Sequence, residues 1–359
     1  MAVEIQLDDI TYTGNEPDSV GEVIKRGVFN TDELTDLGFT VREDVVVREK
    51  MYLAAMREYI TRKRNACAEK TNSGRLIVRE KFLETTNLQI WDQICAEDFG
   101  GTFFELARKK GYDINDLEDT QIEELLVEMY TNIWKRDQQA IIQFGDTAIS
   151  TAPPAGDEED WTDAQKADYA KRLTLSTMDG FWKMVFAGVA LKAADATDPD
   201  GITRVLTIPS GTLPANYTRD VVLPALYEGQ PALMDQVDDE EKVFVLSKTL
   251  YANLTASLRN LATNGEAAST VFKDGAGNLT YEGIPIVKNK RIEQEVATVP
   301  RRAYLMVKGG FQIGTDTIKD AQTLRTWYSK DTDLNNVQVR YKMGMQYLDG
   351  DVVVVAYGG

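Results

Sequence analysis

The sequence predicts an α+β protein, and three observations carry that reading. Apolar residues recur at helical spacing over Arg42 to Lys70, Thr120 to Gly145 and Thr162 to Ala194. The continuous apolar run Val243-Phe244-Val245-Leu246 marks a buried strand, with a helix over Thr249 to Leu261 behind it. From Val271 to Gly359 the chain is mainly β, with short apolar segments set between Gly, Asn and Asp turns.

Residues 1–30 are acidic, contain Gly and Pro, and hold only short apolar runs, so they read as an extended arm that needs partners to order it. Asn30-Thr31-Asp32-Glu33 supplies an N-cap and acidic first-turn residues. A long helix is expected over Arg42 to Lys70, where Val45, Met51, Tyr52, Ala55, Met56, Tyr59 and Ile60 share a face. Arg57, Arg62, Lys63 and Arg64 sit on and beyond it. They read either as a solvated face that suits the helix macrodipole or as the contact for an acidic partner, such as another copy of this chain. Asn72-Ser73-Gly74 is a turn, and Leu76 to Val78 with Phe82 and Leu83 is a strand or hairpin limb. Trp91, Ile94, Phe99, Phe103, Phe104 and Leu106 read as core or interface residues.

The clearest helix starts at Asp119-Thr120 and ends at Gly145, with Ile122, Leu125, Leu126, Met129, Ile133, Trp134, Ile141 and Phe144 along one stripe. At about 1.5 Å per residue it would run on the order of 40 Å, which suits an elongated body. Ser150 to Trp161 is a linker with the acidic run Asp157-Glu158-Glu159-Asp160. Thr162 to Ala194 is helical again, with Phe181, Trp182, Val185, Phe186 and Val189 on its apolar side. Tyr217 to Val237 reads as a helix broken near Gly229-Gln230-Pro231. The end of the chain reads as a strand pair, Val337 to Tyr347 and Val352 to Tyr357, across Leu348-Asp349-Gly350-Asp351.

Composition narrows the function classes. The 359 residues suffice for two or three lobes with real cores. No stretch of about 18 apolar residues occurs, so a membrane span is not expected. Met1 to Asp9 has no basic n-region, so a signal peptide is not expected. Cys67 and Cys95 do not make a disulfide framework and read as reduced thiols. The net charge of −17 makes the whole chain a poor general binder of nucleic acid. Histidine is absent, which removes Ser-His-Asp and Cys-His arrangements, histidine zinc sites and the commonest general base near neutral pH.

No motif restores catalytic chemistry. There is no phosphate-binding Gly-Lys loop and no dinucleotide fingerprint. Gly309-Gly310-Phe311 reads as a strand-end turn. Asp195 to Gly201 departs from the alternating ligands of a calcium loop, and Asp331-Thr332-Asp333-Leu334-Asn335 lacks the following Gly and has Lys342 where the bidentate Glu belongs. Glu123 with Glu124, and Glu293 with Glu295, are paired carboxylates with nothing to tune one of them. Neither a catalytic residue, nor a metal ligand set, nor a cofactor site is assigned.

The order of elements nevertheless resembles that of the major capsid proteins of tailed bacteriophages, the Hong Kong ninety-seven capsid fold. Three segments carry the resemblance: Val243 to Leu261 with the Lys273-Asp274-Gly275-Ala276-Gly277-Asn278 turn; Tyr281-Glu282-Gly283-Ile284-Pro285-Ile286-Val287; and Gly309-Gly310-Phe311 followed by the two closing strands. The resemblance implies an N-terminal arm at 1–30 and a peripheral domain at 31–200. That domain would hold an extended loop at about 65–88 and a spine helix at about 120–145. An axial domain at 201–315 and closing strands at 316–359 that return to the peripheral domain complete it. It implies a structural subunit, not an enzyme, that assembles through pentamers and hexamers into an icosahedral head shell around the phage genome. The expected location is the virion capsid, assembled in the host cytoplasm. Expected partners are other copies, then scaffold, portal and decoration proteins, and packaged DNA met on the inner face without sequence specificity. The alternative in the same fold is an encapsulin-like nanocompartment shell that encloses a cargo enzyme.

Overall fold

The structure is a computed structural model that describes residues 31–56, 76–95, 121–263, 272, 279–295, 301–316, 325–329, 332 and 334–358. The expected arm at 1–30, the expected turn Lys273–Asn278 and the basic run Arg57, Arg62, Lys63 and Arg64 lie outside these residues.

A short helix α1 (Thr31–Asp36) leads into strand β1 (Phe39–Arg42). Next come β2 (Arg48–Met56), β3 (Leu76–Glu84) and β4 (Thr86–Ile94). The helix expected over Arg42 to Lys70 is therefore absent up to Met56, where strands stand in its place. β2 and β3 form a two-stranded antiparallel hairpin from Arg48↔Glu84 to Met56↔Leu76. Residues such as Met51, Leu53 and Ala54 favour helix locally, but pairing with the β-type segment Leu76–Glu84 outweighs that preference. Pleat alternation follows: Met51 is buried and Tyr52 exposed.

The long helix α2 (Gln121–Phe144) lies within a residue of the helix expected over Thr120 to Gly145. Helices α3 (Asp163–Leu175) and α4 (Phe181–Ala194) replace the single expected helical stretch. α3 starts with a capping box in which Thr162 and Gln165 satisfy each other's backbone amides. Then come β5 (Thr203–Ile208), a π-turn at Thr218–Val222, α5 (Leu223–Glu228) and α6 (Ala232–Asp235), which matches the expected break at Gly229-Gln230-Pro231. β6 (Lys242–Ser247) is buried at every residue and feeds α7 (Lys248–Thr263). The rest is β7 (Thr280–Tyr281), β8 (Ile284–Asn289), α8 (Ile292–Glu295), β9 (Arg302–Val307), β10 (Phe311–Thr315), β11 (Arg325–Ser329), β12 (Leu334–Tyr347) and β13 (Val353–Gly358).

Two larger sheets organise the molecule. One runs β1-β10-β12-β11, with β4 also paired along β12. The other runs β5-β13-β9-β6-β8-β7. The expected pair between the last two strands does not form. β12 pairs with β10, β11 and β4, whereas β13 lies between β5 and β9 in the second sheet. The patterns explain the split: β12 alternates, as a strand with one covered face does, while Val353–Ala356 is an unbroken buried run that needs cover on both faces. Between them Gly350 packs on the backbone of Gly201, where a Cβ would come 2.3 Å from its oxygen, and Asp349 accepts from the Asp351 amide at 3.0 Å.

Burial follows the pleat of the second sheet. Phe244, Leu246, Leu305, Val354 and Ala356 pack on one face against Leu223, Leu226, Leu250 and Leu254. Val243, Val245, Tyr304, Met306, Val353 and Val355 pack on the other face with the core shared by α2, α4 and the first sheet. Phe181 is the node between the sheets, with ring centres 5.5 Å from Phe39, 4.8 Å from Tyr304 and 4.8 Å from Phe311. Trp134 of α2 reaches the first sheet through Tyr341, at 5.1 Å between ring centres.

Candidate assembly surfaces

The β2–β3 pair forms a separate two-stranded sheet: among the described residues its strands pair with each other and with no third strand. Tyr52 and Val78 are 60% and 56% exposed. Its root is fixed by a small core of Val45, Met51 and Leu83, against which Leu348 packs. Backbone bonds add to this: the Val45 amide donates to the Thr315 carbonyl at 2.9 Å and the Thr85 amide to the Val47 carbonyl at 3.1 Å.

Two glycines open the seat for that root. Gly314 and Gly344 are direct partners across β10 and β12. A Cβ on Gly344 would fall 1.9 Å from the Glu84 carbonyl oxygen, and one on Gly314 would fall 2.9 Å from Leu83 Cδ2. Side chains at this pair would push the β3–β4 corner off the sheet.

Charges then tie the hairpin to the body. Lys81 Nζ lies 2.8 Å from Asp200 and 4.0 Å over the Tyr347 ring. Arg79 pairs with Asp349, whose side chain is 8% exposed. Burial pushes the Tyr347 hydroxyl up to about 12, helped by the negative charges of Asp200, Asp198 and Asp349. Within the hairpin, Arg48 stacks 3.4 Å from the Phe82 ring centre and pairs with Glu84 at 3.1 Å, and Lys50 meets Glu80 at 3.2 Å. The expected extended loop at about 65–88 thus contains one limb of this hairpin, β3, while its other limb, β2, begins earlier at Arg48. Arg57, Arg62, Lys63 and Arg64 fall in sequence between the two limbs, and their contacts lie outside the described residues.

Other exposed apolar residues mark further surfaces. Met129 and Ile133, one helical turn apart on α2, are 50% and 47% exposed. Trp91 is 54% exposed on the side of the first sheet opposite Leu88; of the aromatic stretch around it, residues 96–106 lie outside the described residues.

The motifs that invited a chemical reading serve structure. In the loop at Asp195 to Gly201, Asp195 accepts from the Thr197 amide and hydroxyl, which holds its carboxyl below the usual range. Asp198 accepts from the Asp200 amide, and Asp200 carries the tether to Lys81. Glu293 accepts from the Thr249 amide at the first turn of α7, so one of the paired carboxylates satisfies a helix N-terminus. The side chains of Glu123, Glu124 and Glu295 lie outside the described residues, as do Asp331 and Asp333. Gly309 has φ of +81° and forms the turn between β9 and β10, as its sequence position suggests. Among the described residues no group of three or more Cys, Asp or Glu side chains could hold a metal ion.

No family model matches the sequence, and no curated protein matches it. Solved structures do. A chain of the satellite phage P4 procapsid, a structure that includes the size determination protein, matches with a TM-score of 0.52 at 9% identity. The match covers 98% of this chain and 93% of that one. A chain of Gordonia phage Cozz matches with a TM-score of 0.52 at 12% identity, over 91% of this chain and 86% of that one. A chain from the capsid of a native GTA particle matches with a TM-score of 0.51 at 11% identity, over 93% and 92%. Each of these matches covers more than nine-tenths of the chain: the chain has the Hong Kong ninety-seven-type capsid fold.

Proposed function

We propose that this chain is a structural subunit that assembles through pentamers and hexamers into an icosahedral phage head shell. The supporting observation is the nearly full-length likeness to chains of a procapsid and of a capsid particle. The architecture agrees physically. A shell subunit needs surfaces that repeat between identical copies, and it needs no catalytic pocket. Here a hairpin with exposed apolar residues, seated at its root and tied to the body by ion pairs, and a long helix with apolar residues facing outward, offer such surfaces.

On this reading the first sheet with α2 and α3 forms the peripheral lobe. The second sheet with α5 and α7 forms the axial lobe, and residues 1–30 form an arm toward a neighbour. The virion is the location and DNA the content. Scaffold, portal and decoration proteins are the further partners, and the shell does no chemistry on its contents.

Electron microscopy of the chain expressed alone, and then together with the products of neighbouring genes, tests this. Rings or closed icosahedral shells are expected. A monomer under every assembly condition, co-expression included, would overturn the proposal. Shells that fill with a cellular enzyme instead of nucleic acid would move it to an encapsulin-like nanocompartment.

A further inference from the structure

The chain carries a net charge of −17, yet its cations are not spread evenly. A cleft of about 1030 Å³ lies where α1, α2, α3 and the end of β8 meet. Arg136 lines it from α2, Lys171 from α3, and Lys290 and Arg291 from the segment that joins β8 to α8; Lys288 borders it, but its ammonium lies 5.7 Å from the Tyr251 ring on α7. Asp36 is the one acid that lines it among the described residues.

The surrounding structure holds these cations in place. Asn289, between Lys288 and Lys290, is 3% exposed and donates to Gln143 Oε1 at 2.8 Å. It also accepts from the Arg291 amide at 2.9 Å, which fixes the turn. The Arg291 guanidinium donates to Gln139 Oε1 at 3.2 Å. Lys288 and Lys290 flank this buried anchor and both are exposed. Among the described lining residues, Arg136, Lys171, Lys290 and Arg291 stand against the single carboxylate of Asp36, a local balance opposite in sign to the net charge of the chain.

We infer that this cleft binds the phosphate backbone of nucleic acid, without reading its sequence. Lysine serves phosphate as a point charge and arginine as a fork, and both are present. Among the described residues no aromatic side chain lines the cleft, which favours backbone contact over stacking on bases. An acidic peptide is the competing occupant, but a flexible peptide loses ordering entropy on docking and needs apolar anchors, for which the described lining offers the aliphatic side chains Leu37 and Val287. A duplex is stiff, already ordered and densely charged, so counterion release drives its binding. The shell reading supplies only the source of the nucleic acid; the site itself stands on the cations.

The test uses the purified full-length chain and a short fluorescent DNA duplex of arbitrary sequence, titrated at several salt concentrations. A triple variant, Arg136→Gln, Lys171→Gln and Lys290→Gln, removes three exposed cleft cations. A control triple, Lys50→Gln, Lys248→Gln and Lys308→Gln, makes the same charge change elsewhere. Thermal melting checks that both fold. The cleft variant is expected to bind more weakly, with a plot of log affinity against log salt shallower by about 0.9 per contact removed. The control is expected to keep the wild-type slope.

Three results would overturn the inference: an unchanged slope in the cleft variant, an equal change in both variants, or cleft-dependent binding of a poly-glutamate peptide with no binding of the duplex. Shells that form normally while the cleft variant binds DNA like the wild type would sink the cleft and leave the shell reading standing. Cleft-dependent DNA binding by a chain that never assembles would do the reverse.

Discussion

Gly344 faces Gly314 across two strands, and the space left by their missing side chains is filled by the corner at Leu83 to Thr85. The neighbour of Gly344 is backbone, not the movable end of a side chain, so an added methyl has no cheap escape. Gly344→Ala should destabilise the subunit by about 1–3 kcal/mol, the usual cost of overpacking a tight site. The urea midpoint should fall with the m-value unchanged; an unaltered midpoint would mean that the corner does not sit on the sheet this closely. A second residue-scale test concerns Asp146. Burial raises its carboxyl, but the hydrogen bonds from Lys183 and the Ala148 amide and the charge of Lys183 outweigh that and lower it overall. A lowered folded-state value means that the contribution is present above the ordinary carboxylate range and is lost as pH falls through the lowered value. Lys183, raised by the same bond to Asp146, keeps the pair charged on the alkaline side. Asp146→Asn should therefore be less stable than wild type near neutral pH, and the gap should close as pH falls below the ordinary carboxylate range. A gap of constant size across that range would show that the charge of Asp146 contributes nothing.

At the scale of elements, the readable ones carried their own signal. Lys242–Ser247 is buried throughout because its apolar run sits mid-sheet; of the stripe expected along Gln121–Phe144, Trp134 and Ile141 are buried in the core, Met129 and Ile133 are exposed, and the side chains of Ile122, Leu125 and Leu126 lie outside the described residues. Gly309 and the break at Gly229 were legible for the same local reason: turn residues act where they stand. What misled lay in partners distant in sequence. The segment after Arg42 has helix-favouring residues at helical spacing, and the limb that makes it a strand begins at Leu76. Likewise, Val353–Ala356 follows β12 directly but belongs beside Thr203–Ile208, from the middle of the chain. The candidate surface suffered most: its cationic residues were visible, but the hairpin limb they follow was not. That hairpin offers an element-scale test. Lys81 joins it to Asp200 and to the Tyr347 ring. Lys81→Ala should cost about 1 kcal/mol, the sum of a partly exposed ion pair and a cation–ring contact. Hydrogen exchange should quicken in β2 and β3 and stay unchanged in β6 and β9, because the tether supports the hairpin alone. Equal acceleration in β6 would place Lys81 in the global core instead.

At the scale of the whole molecule, identical copies that each carry −17 repel one another. Screening confines that repulsion to about 8 Å at physiological salt, so copies in contact still feel it. Assembly then needs cations of one copy set against acids of the next. As a proposal, Arg57, Arg62, Lys63 and Arg64, which follow Met56 in sequence, supply such cations. Reversing Arg62 and Arg64 together, as Arg62→Glu with Arg64→Glu, changes the formal charge of that segment by four units. The subunit should keep its circular dichroism spectrum and melting temperature. Particle yield should fall at least about tenfold, because about 1.4 kcal/mol lost at each repeated contact already shifts each equilibrium that far. Particle counts by electron microscopy, read beside the melting curve of the same preparation, separate the two effects. A normal yield would remove the cluster from the assembly contact, and a lowered melting temperature would place it in the folded core of a single copy.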